Sequence, residues 1–386
     1  MILLSVYLVS IAAPLNQFKV PPIMPLINEA FGMDLSSAGM LMSVFSITGC
    51  ILAIPSGLII QRFGLKTTGL IAAGSVFVGS LIGSLADAVG MLFFGRLVEG
   101  VGMGLIMVMA PAAVALWFPA NRRGGPMGIW GTCVGVASIS TYNIAPALAT
   151  SYGLKAVWWM GTIVAFVAFA LFALLFRSPK PEERLEELAP ESVGGPEISI
   201  VNVMSNYRMW MISLMFFCFN LIVMAFSTYY PTFLNEVRNY TLAQASSMSS
   251  LIVIIGTFTA PVAGYLTDNI GRRRYWVLSA WIIAGILYAF PFSVTGWMIP
   301  GLLVAMGIFV APIVPASFAS IPEIVGSPKL AGMGMAVMAL GQNLGMLIGP
   351  AAFGQSVESL GWMTSCYMLL PFFLVAFIAA WMAKIK

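Results

Sequence analysis

Apolar residues in this chain gather into long runs separated by short polar stretches. The runs fall at roughly 2–28, 35–60, 67–88, 90–118, 126–149 and 155–176, and again at 207–235, 242–266, 275–293, 297–322, 331–356 and 362–383. Each is close to the roughly 20 residues that an α-helix needs to cross the hydrocarbon core of a bilayer. In lipid the backbone must satisfy its own hydrogen bonds, so runs of this length are expected as helices. One interruption is of a different kind. From Arg177 to Asn206 the chain carries Pro179, Pro181 and Pro190, the acids Glu182, Glu183, Glu186, Glu187 and Glu191, and the pair Gly194-Gly195. That composition suits a linker or a surface helix rather than a core. The expected architecture is an all-α membrane protein of 12 transmembrane helices: a bundle of six over 1–176, a linker over 177–206 and a second bundle of six over 207–386.

Composition supports this reading. Of 386 residues, 60% are hydrophobic and 8% are charged, against roughly 25% charged in soluble domains. A surface with so few charges has to face lipid. The basic residues are distributed unevenly. With both termini on the cytosolic side, that side receives Arg62, Lys66, Arg122, Arg123, Arg177, Lys180, Arg184, Arg208, Arg272, Arg273, Arg274, Lys329, Lys384 and Lys386, and the opposite loops only Lys155 and Arg238. The positive-inside bias then accounts for the net charge of +4 without a nucleic-acid partner. The first apolar run begins at Ile2 with no basic region and cleavage site before it, so no signal peptide is expected. Cys50, Cys133, Cys218 and Cys366 each sit in an apolar run without metal-ligand spacing. The chain has no histidine, which removes the commonest general base and metal ligand. No metal, cofactor or catalytic set is expected, and with no phosphate-binding loop the driving energy has to come from a gradient.

One pattern occurs twice. Gly57-Leu-Ile-Ile-Gln61-Arg62-Phe-Gly64-Leu-Lys66 follows the second apolar run, and Gly264-Tyr-Leu-Thr-Asp268-Asn-Ile-Gly271-Arg272-Arg273-Arg274 follows the eighth. Glycines allow a sharp turn between helices, and the basic residues suit the headgroup layer. The two copies resemble the loop signature of the major facilitator superfamily, G-x-x-x-D-R-x-G-R-R/K, and the six-plus-six layout is similar to that family's fold. The resemblance covers essentially the whole chain. It implies that Gly57, Arg62, Gly64, Lys66, Gly264, Asp268, Gly271, Arg272 and Arg273 form cytosolic gating loops. The first copy departs from the signature, with Gln61 in place of the acid and Leu65 in place of the arginine. Arg96-Leu-Val-Glu99-Gly100-Val-Gly102-Met-Gly104 resembles the family's R-x-x-x-G-x-G pattern, whereas the G-P-x-x-G-G end of its antiporter signature is absent from the fifth helix.

Charges inside a span are expensive, about 2.5–3.5 kcal/mol at the centre of a helix. Lys19 lies in Asn16-Gln17-Phe18-Lys19-Val20-Pro21-Pro22. If the helix continues to Asn28, the ammonium is roughly 13 Å from the nearer end, beyond easy snorkelling. The alternative is a helix that stops at Phe18 and leaves Lys19 among the headgroups. Arg96 and Glu99 are spaced to share a helix face, either as a self-neutralising pair or with Arg96 facing a cavity and Glu99 available for proton coupling. Asn16, Gln17, Tyr142, Asn143, Asn220, Gln342 and Asn343 are further candidates for substrate contact. Lys19 and Arg96 against Glu99 sum to +1, which favours an anion. The expected function is secondary transport of a small carboxylate or inorganic anion by alternating access, coupled to protons or a counter-anion, in the plasma (inner) membrane of a prokaryote. The alternatives are a proton-coupled multidrug exporter and a neutral solute or sugar carrier. The expected partners are a small-molecule substrate and the lipid bilayer.

Overall fold

The computed structural model describes residues 2–52, 55–118, 124–177, 204–270, 272–325 and 331–384. Among them all regular structure is helical: α1 (Ile2–Phe18), a 3-10 turn (Pro21–Ile23), α2 (Met24–Phe31), α3 (Leu35–Leu52), α4 (Pro55–Ser84), α5 (Val89–Trp117), α6 (Gly124–Gly131), α7 (Cys133–Tyr152), α8 (Leu154–Leu175), α9 (Tyr207–Glu236), α10 (Leu242–Ile270), α11 (Arg273–Leu287), α12 (Met298–Val310), α13 (Ile313–Val325), α14 (Ala331–Met368) and α15 (Leu370–Ala383). Nine stretches of the described residues are long and apolar enough to span a membrane by length and composition. With α4 and α14 divided at their kinks and interrupted helices joined, the elements follow the order of the twelve apolar runs.

Several helix boundaries differ from expectation for identifiable reasons. α1 stops at Phe18 instead of running to Asn28, because Pro21 and Pro22 supply no amide hydrogen and clash with the preceding turn. The polar residues expected in a loop at 61–66 lie within α4, where the turn is made at Gly64 alone (φ 77°, ψ 166°). The joints at Gly153 (φ 83°, ψ 168°) and Gly361 (φ 78°, ψ 169°) use the same conformation, a region of φ/ψ space open essentially to glycine. A single residue thus suffices where a longer loop would expose more backbone to lipid. The run expected over 275–293 ends as a helix at Leu287 and continues as turns. The acidic and proline-rich stretch at 178–203 lies outside the described residues, as does Gly271.

The described residues pack as two compact units, bounded as Met1–Ile23 with Val44–Glu197 and Met24–Ser43 with Ile198–Lys386. In the first, small and branched side chains of α1, α4, α5 and α8 interlock around Val9, Ala13, Ala72, Val76, Ile106, Met109, Ala165 and Phe172. Gly100 lies against the Phe45 carbonyl and Gly102 against that of Ala72, so the glycines of the arginine–glycine pattern serve close helix packing.

The second unit is built around α9. One side of α9 meets α14 backbone to backbone, with Gly341, Gly345 and Gly349 against Ser213, Phe217 and Leu221. Another carries an aromatic cluster: Phe226 stacks on Tyr230 at 4.4 Å, and Phe233 meets Phe292 at 4.7 Å and Trp362 at 5.4 Å. The start of α3 belongs to this unit. Its Leu35 carbonyl accepts a 2.6 Å hydrogen bond from Tyr229, and its Ser36 amide donates to Glu358 at 2.9 Å. The free amides of the first turn of α3 give the exposed Glu358 carboxylate a partner.

Candidate functional site

The proline pair that ends α1 also creates its chemistry. In an unbroken helix the carbonyls of Asn16 and Gln17 would accept from the amides of residues 20 and 21, but Pro21 has none. The Arg96 guanidinium fills the gap. Its NH1 nitrogen donates to the Asn16 carbonyl at 2.6 Å and its NH2 nitrogen to the Gln17 carbonyl at 3.1 Å. An arginine from α5 thus caps the broken end of α1, where the helix dipole favours positive charge.

Lys19 follows directly and folds inward. Its ammonium donates to Asn16 Oδ1 at 2.9 Å, Ser80 Oγ at 3.1 Å and Glu99 Oε1 at 2.7 Å. The other Glu99 oxygen accepts from Arg96 at 2.7 Å. Lys19, Arg96 and Glu99 are 0%, 1% and 0% exposed. Aromatic faces complete the enclosure: the Arg96 guanidinium lies 4.4 Å from the Phe45 ring centre and the Lys19 ammonium 5.1 Å from that of Trp158. Ser80 passes the network to α8 by donating to the Trp158 carbonyl, and Thr162 donates to Ser80 at 3.2 Å. Asn16 donates to the carbonyls of Ala12 and Gly161.

Both sequence alternatives for Lys19 are corrected in part. The helix does stop at Phe18, yet Lys19 is buried, because the chain continues through a buried 3-10 turn instead of leaving the bundle. Nor is Lys19 a lone cation, since a Glu99 oxygen lies 2.7 Å from its ammonium. Arg96 and Glu99 are a pair, as their spacing suggested, but they form two thirds of a triad. Two cations share one carboxylate, which leaves a net +1, eased by the negative end of the α1 dipole. The same end of α1 holds an unsatisfied group. The Gln17 side-chain nitrogen is buried and has no partner among the described residues. Gln17 is on the face of α1 that Ser10 presents to Trp130.

The structure therefore brings together Asn16, Gln17, Lys19, Arg96 and Glu99. Tyr142 is buried in α7, and Asn143 is exposed and bonded to its own helix through the Ile139 carbonyl. Asn220, Gln342 and Asn343 belong to the second unit, where Asn220 donates to the Phe216 carbonyl. Sequence reading missed Phe45, Ser80, Trp158 and Thr162. Their polarity and spacing carry no distinguishing signal, because serines and threonines are common in spans. Among the described residues the buried hydroxyls of Thr228 and Thr232 of α9 also have no partner.

Of the expected gating residues, Gly64 makes the kink in α4, and Arg62 lies over the Phe63 ring at 5.6 Å. Gly57 and Lys66 lie along α4, and Gly264 and Asp268 along α10. Arg272 takes a left-handed conformation (φ 60°) just before α11. Arg273 pairs with Glu323 at 2.7 Å.

The sequence model of the Major Facilitator Superfamily matches residues 6–280 and 238–385. The chain belongs to the major facilitator superfamily. It is similar to a probable sulfoacetate transporter of Cupriavidus necator, 23% identical over 94% of this chain and 88% of that one. A hexuronate transporter of Bacillus subtilis is 22% identical over 95% and 90%. Among solved structures, a bacterial homologue of the human lysosomal transporter Spinster, in an inward-facing and unoccupied conformation, superposes with a TM-score of 0.85. It shares 14% identity over 99% of this chain and 96% of that one, so the likeness shows the fold. As a member of this superfamily the protein is an integral membrane transporter of small molecules and not an enzyme.

Proposed function

We propose that this transporter carries small organic anions, carboxylates or sulfonates, as a secondary carrier working by alternating access. The observation that carries the reading is the surplus positive charge of the buried Lys19–Glu99–Arg96 triad, at the helix end that also holds the Gln17 amide, unpartnered among the described residues. A buried excess charge is costly unless compensated. An arriving anion supplies the compensation: its acid group takes the place of Glu99 at Lys19 and accepts from Gln17, while Glu99 stays on Arg96. A cationic solute would be repelled. The names of the sulfoacetate and hexuronate relatives favour the same class. Glu99 is then also the candidate for proton coupling, because release from Lys19 frees one of its oxygens. A plasma-membrane location and cytosolic termini accord with the bacterial relatives and the uneven distribution of basic residues.

The test is uptake into liposomes containing the purified protein. The labelled probes are glucuronate and sulfoacetate; the competitors are glucose and a lipophilic phosphonium cation. Wild-type protein is expected to accumulate at least one anion, with neither competitor effective. Lys19→Met leaves a neutral Arg96–Glu99 pair, so it should fold and melt normally yet lose anion uptake. Uptake of the sugar or the cation with no anion transported, or anion uptake undiminished in Lys19→Met, would refute the reading.

A further inference from the structure

Arginine and lysine side chains meet at one end of the second unit. The apolar helix α15 packs against both α9 and α11, and it ends at Ala383 with Lys384 in a left-handed conformation (φ 52°). The Lys384 backbone amide turns back to the Trp381 carbonyl at 3.4 Å. The same carbonyl accepts from the Arg274 guanidinium, at the start of α11, at 3.3 Å. The two residues thus meet at the carbonyl end of α15, where the helix dipole favours positive charge. Arg208, in the first turn of α9, completes the group. It donates to the Tyr207 hydroxyl, on which the Lys384 charge also acts. Other basic residues at the ends of spans are spent on acids: Arg273 on Glu323 and Lys155 on Asp87, each at 2.7 Å. Arg208, Arg274 and Lys384 have no acidic partner among the described residues. Exposed aromatic rings flank them, Tyr207 and Trp210 on α9, Tyr275 on α11 and Trp381 on α15. Tyrosine and tryptophan favour the depth at which headgroups meet hydrocarbon. Leading up to this cationic end, Leu374, Ile378 and Trp381 are exposed on α15, and their spacing puts them on one stripe of the helix.

We propose that Arg208, Arg274 and Lys384 bind the phosphate headgroup of an anionic phospholipid, whose acyl chains lie along the exposed stripe of α15. A phosphate takes charge-assisted hydrogen bonds from several cations at once, and cations at the membrane surface are attracted to anionic lipids. A zwitterionic lipid offers less, because its own ammonium offsets its phosphate. The apolar stripe decides for a lipid over a soluble anion, which would use the cations and leave the stripe bare. The site lies wholly in the second unit and is independent of what is transported.

The experiment follows thermal unfolding of the purified protein in detergent micelles titrated with dioleoyl phosphatidylglycerol, dioleoyl phosphatidylcholine or glycerol 3-phosphate. Phosphatidylglycerol is expected to raise the melting temperature saturably, by about 3 °C or more beyond phosphatidylcholine, and glycerol 3-phosphate to leave it unchanged. Arg208→Gln/Lys384→Gln removes two charges and keeps the Arg274 bond to α15. It should melt like the wild type in phosphatidylcholine and lose most of the phosphatidylglycerol increment. Arg62→Gln/Lys66→Gln, which removes two charges from the first unit, should keep that increment. Equal stabilisation by the two lipids, an increment undiminished in Arg208→Gln/Lys384→Gln, or one lost equally in both double variants overturns the proposal. Stabilisation by glycerol 3-phosphate that matches phosphatidylglycerol overturns it too, since the cations then serve a soluble phosphate.

Discussion

Glu99→Gln removes the one acid from between two buried cations. The Lys19 ammonium and Arg96 guanidinium each lie 2.7 Å from a different oxygen of Glu99. That places the cations roughly 5 Å apart, and at an effective dielectric of about 20 their repulsion is about 3 kcal/mol. Deleting one partner of a buried ion pair generally costs about 3–5 kcal/mol, so Glu99→Gln is expected to destabilise the protein by that amount. Lys19→Met should cost far less, because the Arg96–Glu99 pair and the cap on α1 survive. The decisive measurement is the double variant. The repulsion between the cations is the same in the wild type and in Glu99→Gln and cancels from the cycle, so the cycle reads the Lys19–Glu99 attraction, and Glu99→Gln should cost about 3 kcal/mol less in the Lys19→Met background than in the wild type. Reversible unfolding in mixed micelles, followed by tryptophan fluorescence across the four proteins, gives the coupling energy. If the two substitutions are additive within about 0.5 kcal/mol, the three charges are not one electrostatic cluster and the charge argument for the substrate loses its basis.

Other expectations can be tested with the same preparation. Gly345→Val should abolish folding, seen as aggregation on size exclusion, since even a Cβ there would collide with the Phe217 carbonyl and lie 2.8 Å from the Leu221 nitrogen. Gly153→Ala should fold but lose about 1–3 kcal/mol from backbone strain alone, because nothing lies within 4 Å of an added Cβ. Tyr229→Phe should cost about 1 kcal/mol through the lost bond to Leu35, with the ring packing on Phe353 retained. Asp87→Asn should leave the melting temperature unchanged, because the 2.7 Å pair with Lys155 is fully in solvent, its side chains 60% and 85% exposed.

The sequence by itself determined the membrane environment, the number of helices and the family, because each follows from local quantities. A bilayer demands runs of fixed length, and a repeated turn pattern is visible along one dimension. It also singled out Lys19, Arg96 and Glu99, since a charge in an apolar run is conspicuous wherever it occurs. Tertiary structure decided what those charges do. That Arg96 caps a helix broken by Pro21 requires α1 and α5 to be adjacent, and that Lys19 meets Glu99 joins positions 80 residues apart. Ser80, Trp158 and Thr162 were illegible for the same reason: a serine in a span looks alike whether it bridges helices or bonds its own carbonyl. The idle hydroxyls of Thr228 and Thr232 mark the limit most sharply, because an unfilled hydrogen bond is a property of the space around a side chain and has no counterpart in the order of residues.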